Sequence, residues 1–292
     1  MEELLFVKGY QQERRYRESF DQMAKQIFGI SFETWFSHGY WDDRYVPYSY
    51  WDGEQMVANV SVNKISLMIE GQQRKAIQLG TVMTKPEYRN QGLSASLMKK
   101  VLEDDENQVD LIYLFANHSV LDYYPKFGFK PVDEFQFSLS YTNSSSPVLN
   151  GLVKLDGSNK RDLSFIFNFA SRRWPVSPLF GSKQAEGILL FYCINVFSND
   201  IYFIEEEEVI IIYKLDGNTL HLFDLIAQRE VNLERVLQRI CPHETTEVIF
   251  YFTPADPSLD KALFIGGEKL FMRAKEGLEL PKYFKHPITS QA

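Results

Sequence analysis

Cysteine is scarce in this sequence. Cys193 and Cys241 are the only two among 292 residues, too few for a disulfide framework, so a reducing, cytoplasmic setting is expected. Histidine is sparse as well. His38, His118, His221, His243 and His286 stand far apart, without paired metal-ligand spacing, and Cys241-Pro242-His243 alone does not make a zinc site, so no metal is expected. Long apolar runs are missing: residues 209–213 are strand-sized, far short of the roughly 18 residues of a membrane span. Met1-Glu2-Glu3-Leu4 lacks the charged-then-apolar pattern of a signal peptide. A basic surplus is missing too. With 31 basic and 39 acidic side chains the net charge is −8, whereas a phosphate-binding surface wants a basic stripe, so neither nucleic acid nor membrane is expected as a partner.

What is present is the ordinary balance of a folded protein: 45% hydrophobic and 24% charged residues. At roughly 150 residues per domain the length suggests two domains. The 23 Phe and 16 Tyr suffice for large cores and a ring-lined pocket. Helical spacing of Tyr16, Phe20, Met23, Ile27 and Phe28 predicts a helix over residues 11–28. Residues 28–51 read as irregular and crowded with rings. Strands follow at 56–69 and 76–84, a helix at 91–102, a buried strand at 109–116, a short helix at 120–126 and a strand at 135–141. Thr142 to Pro147 is polar and turn-rich, a linker. Beyond it, helices are expected at 161–173 and 183–197, strands at 201–205, 209–215 and 220–227, and a hairpin turn at Asp216-Gly217. Asn232 would cap a helix running to 240, with strands at 248–253 and 270–273. The two halves share an element order, which reads either as an internal duplication or as two unrelated α/β units. The boundaries are 1–142, a linker at 143–150, and 151–292.

The informative stretch is Val82 to Leu97. A strand ends, the chain turns through Arg89-Asn90-Gln91-Gly92, and an amphipathic helix begins. The first N–H groups of a helix have no intrahelical partner and carry the positive end of its dipole. Gly92 leaves them open and Ser94 is small, so the turn can cradle a pyrophosphate, with Arg89 adding a cation. The same residues also fit a plain turn in which Gly92 only relieves strain. About thirty residues on come Asn117 and then Tyr123-Tyr124-Pro125-Lys126-Phe127-Gly128-Phe129.

Together these motifs resemble the GCN5-related N-acetyltransferase (GNAT) superfamily over about residues 4–141. Pro86, Arg89, Gly92 and Ser94 match its Pro-x-x-Arg and Arg/Gln-x-x-Gly-x-Gly/Ala pattern, with Ser94 departing from the usual Gly or Ala. Asn117, Tyr124, Gly128 and Phe129 match its second motif. The aromatic-rich first half is also similar to the enhanced intracellular survival type, which has tandem modules and a further sterol-carrier-like domain for which this chain is too short. The resemblance implies an α/β (α+β) fold of tandem GNAT-like domains, each a mixed, mostly antiparallel sheet flanked by helices. It implies acetyl-coenzyme A as cosubstrate. The pantetheine arm would lie along backbone groups of Met83 and Thr84, and the pyrophosphate on Arg89, Asn90, Gln91, Gly92, Leu93 and Ser94, with Asn117 nearby.

Direct transfer needs a neutral amine, a donor for the developing oxyanion and an acid for the departing thiolate. An unperturbed Tyr is protonated at neutral pH, with a pKa of about 10, so Tyr124 is the candidate acid, with Asn117 beside it in the catalytic motif. Neither Cys lies in a motif, which weighs against an acyl-enzyme. No base is legible; His118 lies nearby but equally fits a satisfied structural histidine. Glu33, Trp35, Phe36, Trp41 and Asp42, with Asp43, would line the acceptor side and suit a small cationic amine; an aromatic mini-core under a long loop is the other reading. In the second half the equivalent loop, residues 228–233, carries Glu230 and Val231, which would repel and block a pyrophosphate, so a non-catalytic module is expected there. Two alternatives stay open: a silent acyl-coenzyme A sensor or scaffold, and a protein or peptide amine as acceptor. Oligomeric state is not legible.

Overall fold

The computed structural model describes residues 4–142 and 151–292; the expected linker at 143–150 lies outside the described residues. The first half supplies β1 (Leu5–Lys8), α1 (Arg14–Phe28), α2 (Glu33–Ser37), β2 (Tyr45–Asp52), β3 (Gln55–Ile69), β4 (Gln72–Thr84), α3 (Leu93–Asp105), β5 (Leu111–Asn117), β6 (Lys130–Val132) and β7 (Phe135–Ser140). The second half supplies β8 (Leu152–Leu155), α4 (Lys160–Ala170), β9 (Phe180–Lys183), α5 (Glu186–Asn195), β10 (Ile201–Ile204), β11 (Val209–Asp216), β12 (Thr219–Ala227), α6 (Leu233–Ile240), β13 (Glu247–Phe250), β14 (Asp260–Leu263) and β15 (Glu268–Ala274).

Three expectations needed correction. Residues 28–51 are not irregular: they hold α2 and β2. The period-2 signal of β2 is lost because Tyr45 to Ser49 are buried on both faces. The helix expected at 183–197 starts only at Glu186, since Lys183 ends β9 and Gln184 adopts a left-handed φ of 58° between them. The short helix expected at 120–126 is two 3-10 turns, His118–Val120 and Tyr124–Phe127.

The strands form an eight-stranded sheet, β1-β2-β3-β4-β5-β15-β6 with β9 also paired to β3, and a seven-stranded sheet, β14-β7-β13-β12-β11-β10-β8. Both are antiparallel except at β4–β5 and β12–β13, and helices α3 and α6 make those parallel connections. Read from opposite ends, the two orders coincide. The fold is therefore α/β, with two mixed, mostly antiparallel sheets and their helices, in a repeated arrangement. The halves are nevertheless interlocked. β15, late in the chain, lies between β5 and β6, while β7, from the first half, lies between β13 and β14.

Each repeat packs a helix on its sheet. Leu97, Met98 and Val101 of α3 meet Val60, Val62, Ile77 and Ile112. Val236, Leu237 and Ile240 of α6 meet Leu220, Leu222 and Val248. A third cluster joins the halves: Phe20, Trp35 and Trp41 pack with Leu189, Leu190, Cys193 and Ile210. Two of its indoles are satisfied, while Trp51 Nε1 is buried without a hydrogen-bond partner among the described residues. Trp35 Nε1 donates to the Gly187 carbonyl at 2.7 Å and Trp41 Nε1 to the Tyr45 carbonyl at 3.0 Å.

The last residues thread between the sheets. His286 is wholly buried, its Nδ1 donating to the Pro287 carbonyl and its Nε2 accepting from the Tyr113 hydroxyl. Burial pushes its pKa down to about 3, so the ring is neutral. Thr289 donates to Asp224, which the Arg173 guanidinium grips through both oxygens at 2.8 and 3.1 Å. The Gln78 amide closes the clamp: Nε2 donates to the Ser290 carbonyl at 2.9 Å, and Oε1 accepts from the Ala292 N–H at 2.7 Å.

Removing one partner of a buried ion pair strands the other charge, at a cost of about 3–5 kcal/mol. Asp224→Ala is expected to lose about that much in urea unfolding. Asp200→Ala, whose partner Lys214 is half exposed, should lose under about 1 kcal/mol.

Candidate active site

The site begins with a break in backbone pairing. β4 pairs with β5 from Ala76↔Leu111 to Leu79↔Leu114, and the register ends there. On the other side, Asn59 faces Met83 and Ser61 faces Gly80, so Val60 opposes two residues, Thr81 and Val82. This is a β-bulge, which bends its strand and increases the local twist. Thr81 takes a left-handed φ of 49°. Its carbonyl accepts from Asn59 Nδ2 at 2.8 Å, and its hydroxyl pairs with that of Tyr45 at 2.6 Å. Past the bulge β4 and β5 part, and a cavity of about 710 Å³ opens beside them. Gly80 lies against the tail here: a Cβ would sit 2.7 Å from the Ala292 carbonyl carbon.

At one end the cavity meets the turn into α3. Asn90 and Gly92 adopt φ of 60° and 78°, which swings the chain into the helix. No side chain caps α3, and its first internal bond runs from Ser96 N–H to the Gly92 carbonyl at 2.9 Å. The N–H groups of Leu93 to Ala95 thus stay open at the positive end of a thirteen-residue helix. A Cβ on Gly92 would meet no protein atom within 4 Å, so the space in front of those donors is free. Thr84, Arg89, Asn90, Gly92, Leu93, Ser94 and Asn117 line the cavity. The Met83 side chain is in the core, and the Gln91 amide turns back to the Glu87 carbonyl at 3.1 Å. Ser94 accepts a hydrogen bond from the Tyr123 hydroxyl at 2.9 Å, which ties the α3 turn to the Tyr123–Phe129 segment. A Gly or Ala could not make that link.

Tyr124 stands at the centre, 5% exposed and on the cavity wall. Burial first, then the neighbouring Tyr123 and Glu268, push its phenol well above the ordinary value. It stays protonated, and its hydroxyl has no hydrogen bond among the described residues. Asn117 Oδ1 accepts from the Ser119 N–H at 3.0 Å and from the Ser119 hydroxyl, fixing the turn before Tyr124. His118 Nε2 lies 3.0 Å from the Gly266 carbonyl, so that nitrogen carries the proton. The ring holds the loop before β15 and does not line the cavity.

The far end is walled by rings from both halves: Phe28, Phe32, Trp35 and Tyr45, then Phe191 and Tyr192 of α5, with Glu268 at the start of β15. Of the residues read from sequence for the acceptor side, Trp35 lies here and the others lie elsewhere. Glu33 pairs with Arg17 at 3.2 Å, and that guanidinium covers the Phe36 ring at 3.6 Å. Trp41 is in the core between the halves. Asp42 accepts from the Arg44 N–H at 2.9 Å in a separate small crevice, and Asp43 accepts from Gln11 at 3.2 Å. Sequence reasoning missed Phe191, Tyr192 and Glu268. No local motif marks them, since only the packing of α5 and the insertion of β15 bring them here.

The repeat-related turn differs. Asn232 Oδ1 accepts from the Arg235 N–H at 3.1 Å and so caps α6. Arg229 pairs with Glu208 at 2.9 Å. The donors that α3 leaves open are partly closed there. Among the described residues, no three His, Cys, Asp or Glu side chains gather to hold a metal. No helix there is long and apolar enough to cross a membrane.

Residues 11–132 match the family model of the acetyltransferase (GNAT) domain. No curated protein matches the sequence. Among solved structures, the fold is similar to a conserved protein of Enterococcus faecalis described as a probable N-acyltransferase, with TM-score 0.59 and 14% identity over 93% of this chain and 72% of that one. A GCN5-related N-acetyltransferase from Kribbella flavida aligns with TM-score 0.57 and 17% identity over 93% and 72%. Eis1 from Mycobacterium abscessus aligns with TM-score 0.59 and 12% identity over 92% and 73%. At these identities the structural likeness speaks for the fold, while the match over residues 11–132 speaks for the family. The chain thus has a repeated α/β fold, within which residues 11–132 match an acetyltransferase (GNAT) domain.

Proposed function

We propose that the protein is an acetyl-coenzyme A-dependent N-acetyltransferase that acts on the amine of a small, cationic acceptor by direct attack. The observation that carries this reading is one continuous cavity. It has an uncapped helix N-terminus at one end, an aromatic wall at the other, and the protonated Tyr124 between them. The residues fit the coenzyme. Open N–H groups at Leu93 to Ala95 and the Arg89 guanidinium suit a pyrophosphate, and the splayed edge of β4 at Gly80–Thr84 has no β5 partner, which leaves backbone groups for an amide-bearing arm.

Bound there, acetyl-coenzyme A would supply an acetyl group activated as a thioester. This chain's residues do the rest. The α3 turn binds the anionic portion, and the β4 edge orients the arm. The ring wall excludes water from the acceptor side. Tyr124 holds a proton at Oη for the sulfur that leaves. Cys193 and Cys241 are buried thiols, outside the cavity, whose pKa values burial raises, which supports transfer without an acyl-enzyme. The side-chain cap and ion-paired loop of the second repeat support a non-catalytic role for it, shaping the acceptor wall through α5 and β15.

General acid catalysis contributes typically about 10²–10⁴-fold. Tyr124→Phe is expected to lower kcat by that order in a thiol-release assay, with the coenzyme Kd unchanged; an unchanged kcat would remove Tyr124 from the chemistry. Because burial raises the phenol's pKa above about 10, the wild-type pH–rate profile should show no alkaline loss due to Tyr124 below that pH. Gly92→Val puts a branched side chain in the space before the α3 donors, at an αL strain of about 1–2 kcal/mol. The variant should fold, and the coenzyme should no longer raise its Tm. A Tm shift equal to wild type would argue against the pyrophosphate site.

A further inference from the structure

An amine acceptor arrives at neutral pH as an ammonium ion, and something in the cavity must receive that charge. Glu268 carries the only acidic side chain among the described residues that line it. Its placement is set by topology. Glu268 opens β15, directly opposite Asn117 of β5, at the splayed mouth where Tyr124 also sits. The loop that precedes it is held by His118 through the Gly266 carbonyl. The carboxylate is near both sides of the cavity, since its charge raises the phenol pKa of Tyr124 and of Tyr192 on α5.

Glu268 also stands without a partner. Its side chain makes no ion pair or hydrogen bond among the described residues, although the adjacent Lys269 is paired, with Asp133. The residue is exposed at the mouth of the cavity, and the nearby walls still push its carboxyl above the ordinary value. An unpaired carboxylate at such a mouth is free to receive a cation. Rings that line the same cavity, Phe191, Tyr192 and Trp35, present π-faces that attract the same charge and cover an apolar stem.

We propose that Glu268, carried into the first sheet by the exchanged strand, is the anchor that receives the acceptor's ammonium group, which gives up a proton to solvent before the neutral amine attacks, and that the acceptor class is a primary amine on a short apolar or aromatic stem. This rests on the reading of the cavity as the acyl-transfer site. It adds a specificity-determining residue that belongs to the second half of the chain.

The test uses the full chain and titration calorimetry with phenethylamine and its neutral counterpart phenethyl alcohol, each with and without coenzyme A. An ion pair at an exposed carboxylate changes affinity by up to about fivefold. Wild type should therefore prefer the amine by a few-fold, and Glu268→Gln should erase the preference while alcohol affinity stays the same. An amine preference that survives in Glu268→Gln overturns the proposal, as does a wild type that prefers neither ligand or binds neither. Coenzyme A titrated alone reports separately. If it fails to bind wild type, the acetyltransferase reading falls, while the amine titrations still decide the role of Glu268.

Discussion

The site depends on backbone hydrogen bonds that are not made. Two parallel strands that stayed in register would spend every amide on each other, and no cavity would exist between them. The bulge opposite Val60 turns β4 away after Gly80, and the energetic cost is contained locally. Asn59 satisfies the Thr81 carbonyl and Tyr45 its hydroxyl. From that divergence follow the aromatic chamber, the exposed edge of β4, the place where the tail lodges, and the alignment of the α3 turn with the opening. Mechanism and fold meet at this bend.

Around it, the two repeats are fastened by exchange rather than by contact alone. A strand given to the partner sheet makes backbone bonds on both its flanks, so neither sheet is complete from its own stretch of chain. The buried grip of Arg173 on Asp224, the neutral His286 and the Gln78 clamp then hold the last residues between the sheets. The consequence for function is direct. One wall of the cavity and its acidic side chain come from the half whose own helix turn is capped and ion-paired.

Negative net charge and abundant rings acquire a definite location in this arrangement. Most of the aromatic residues at 28–51 make a core between the halves, and only part of that core faces the chamber. The carboxylates expected beside them are engaged elsewhere. Glu33 answers Arg17, and Asp42 takes the Arg44 amide, because short side chains on a packed loop reach their own backbone or nearest cation first.

The sequence by itself determined the parts of the site that are local. Arg89 to Ser94 spell a strand-to-helix turn with an open N-terminus, since left-handed φ and missing caps are properties of a few adjacent residues. Tyr124 before the Gly128 turn is legible for the same reason, and so are the α3 and α6 faces, whose 3.6-residue spacing is written in neighbouring positions. Strand β2 was not legible, because burial on both faces erases alternation. Tertiary packing alone decided that β7 and β15 trade sheets, that α5 walls the cavity, and that Glu268 lines the same cavity as Tyr124, 144 positions away in the chain. Pairing across that distance is chosen by the whole sheet's hydrogen bonds and packing, and no short window of sequence carries it.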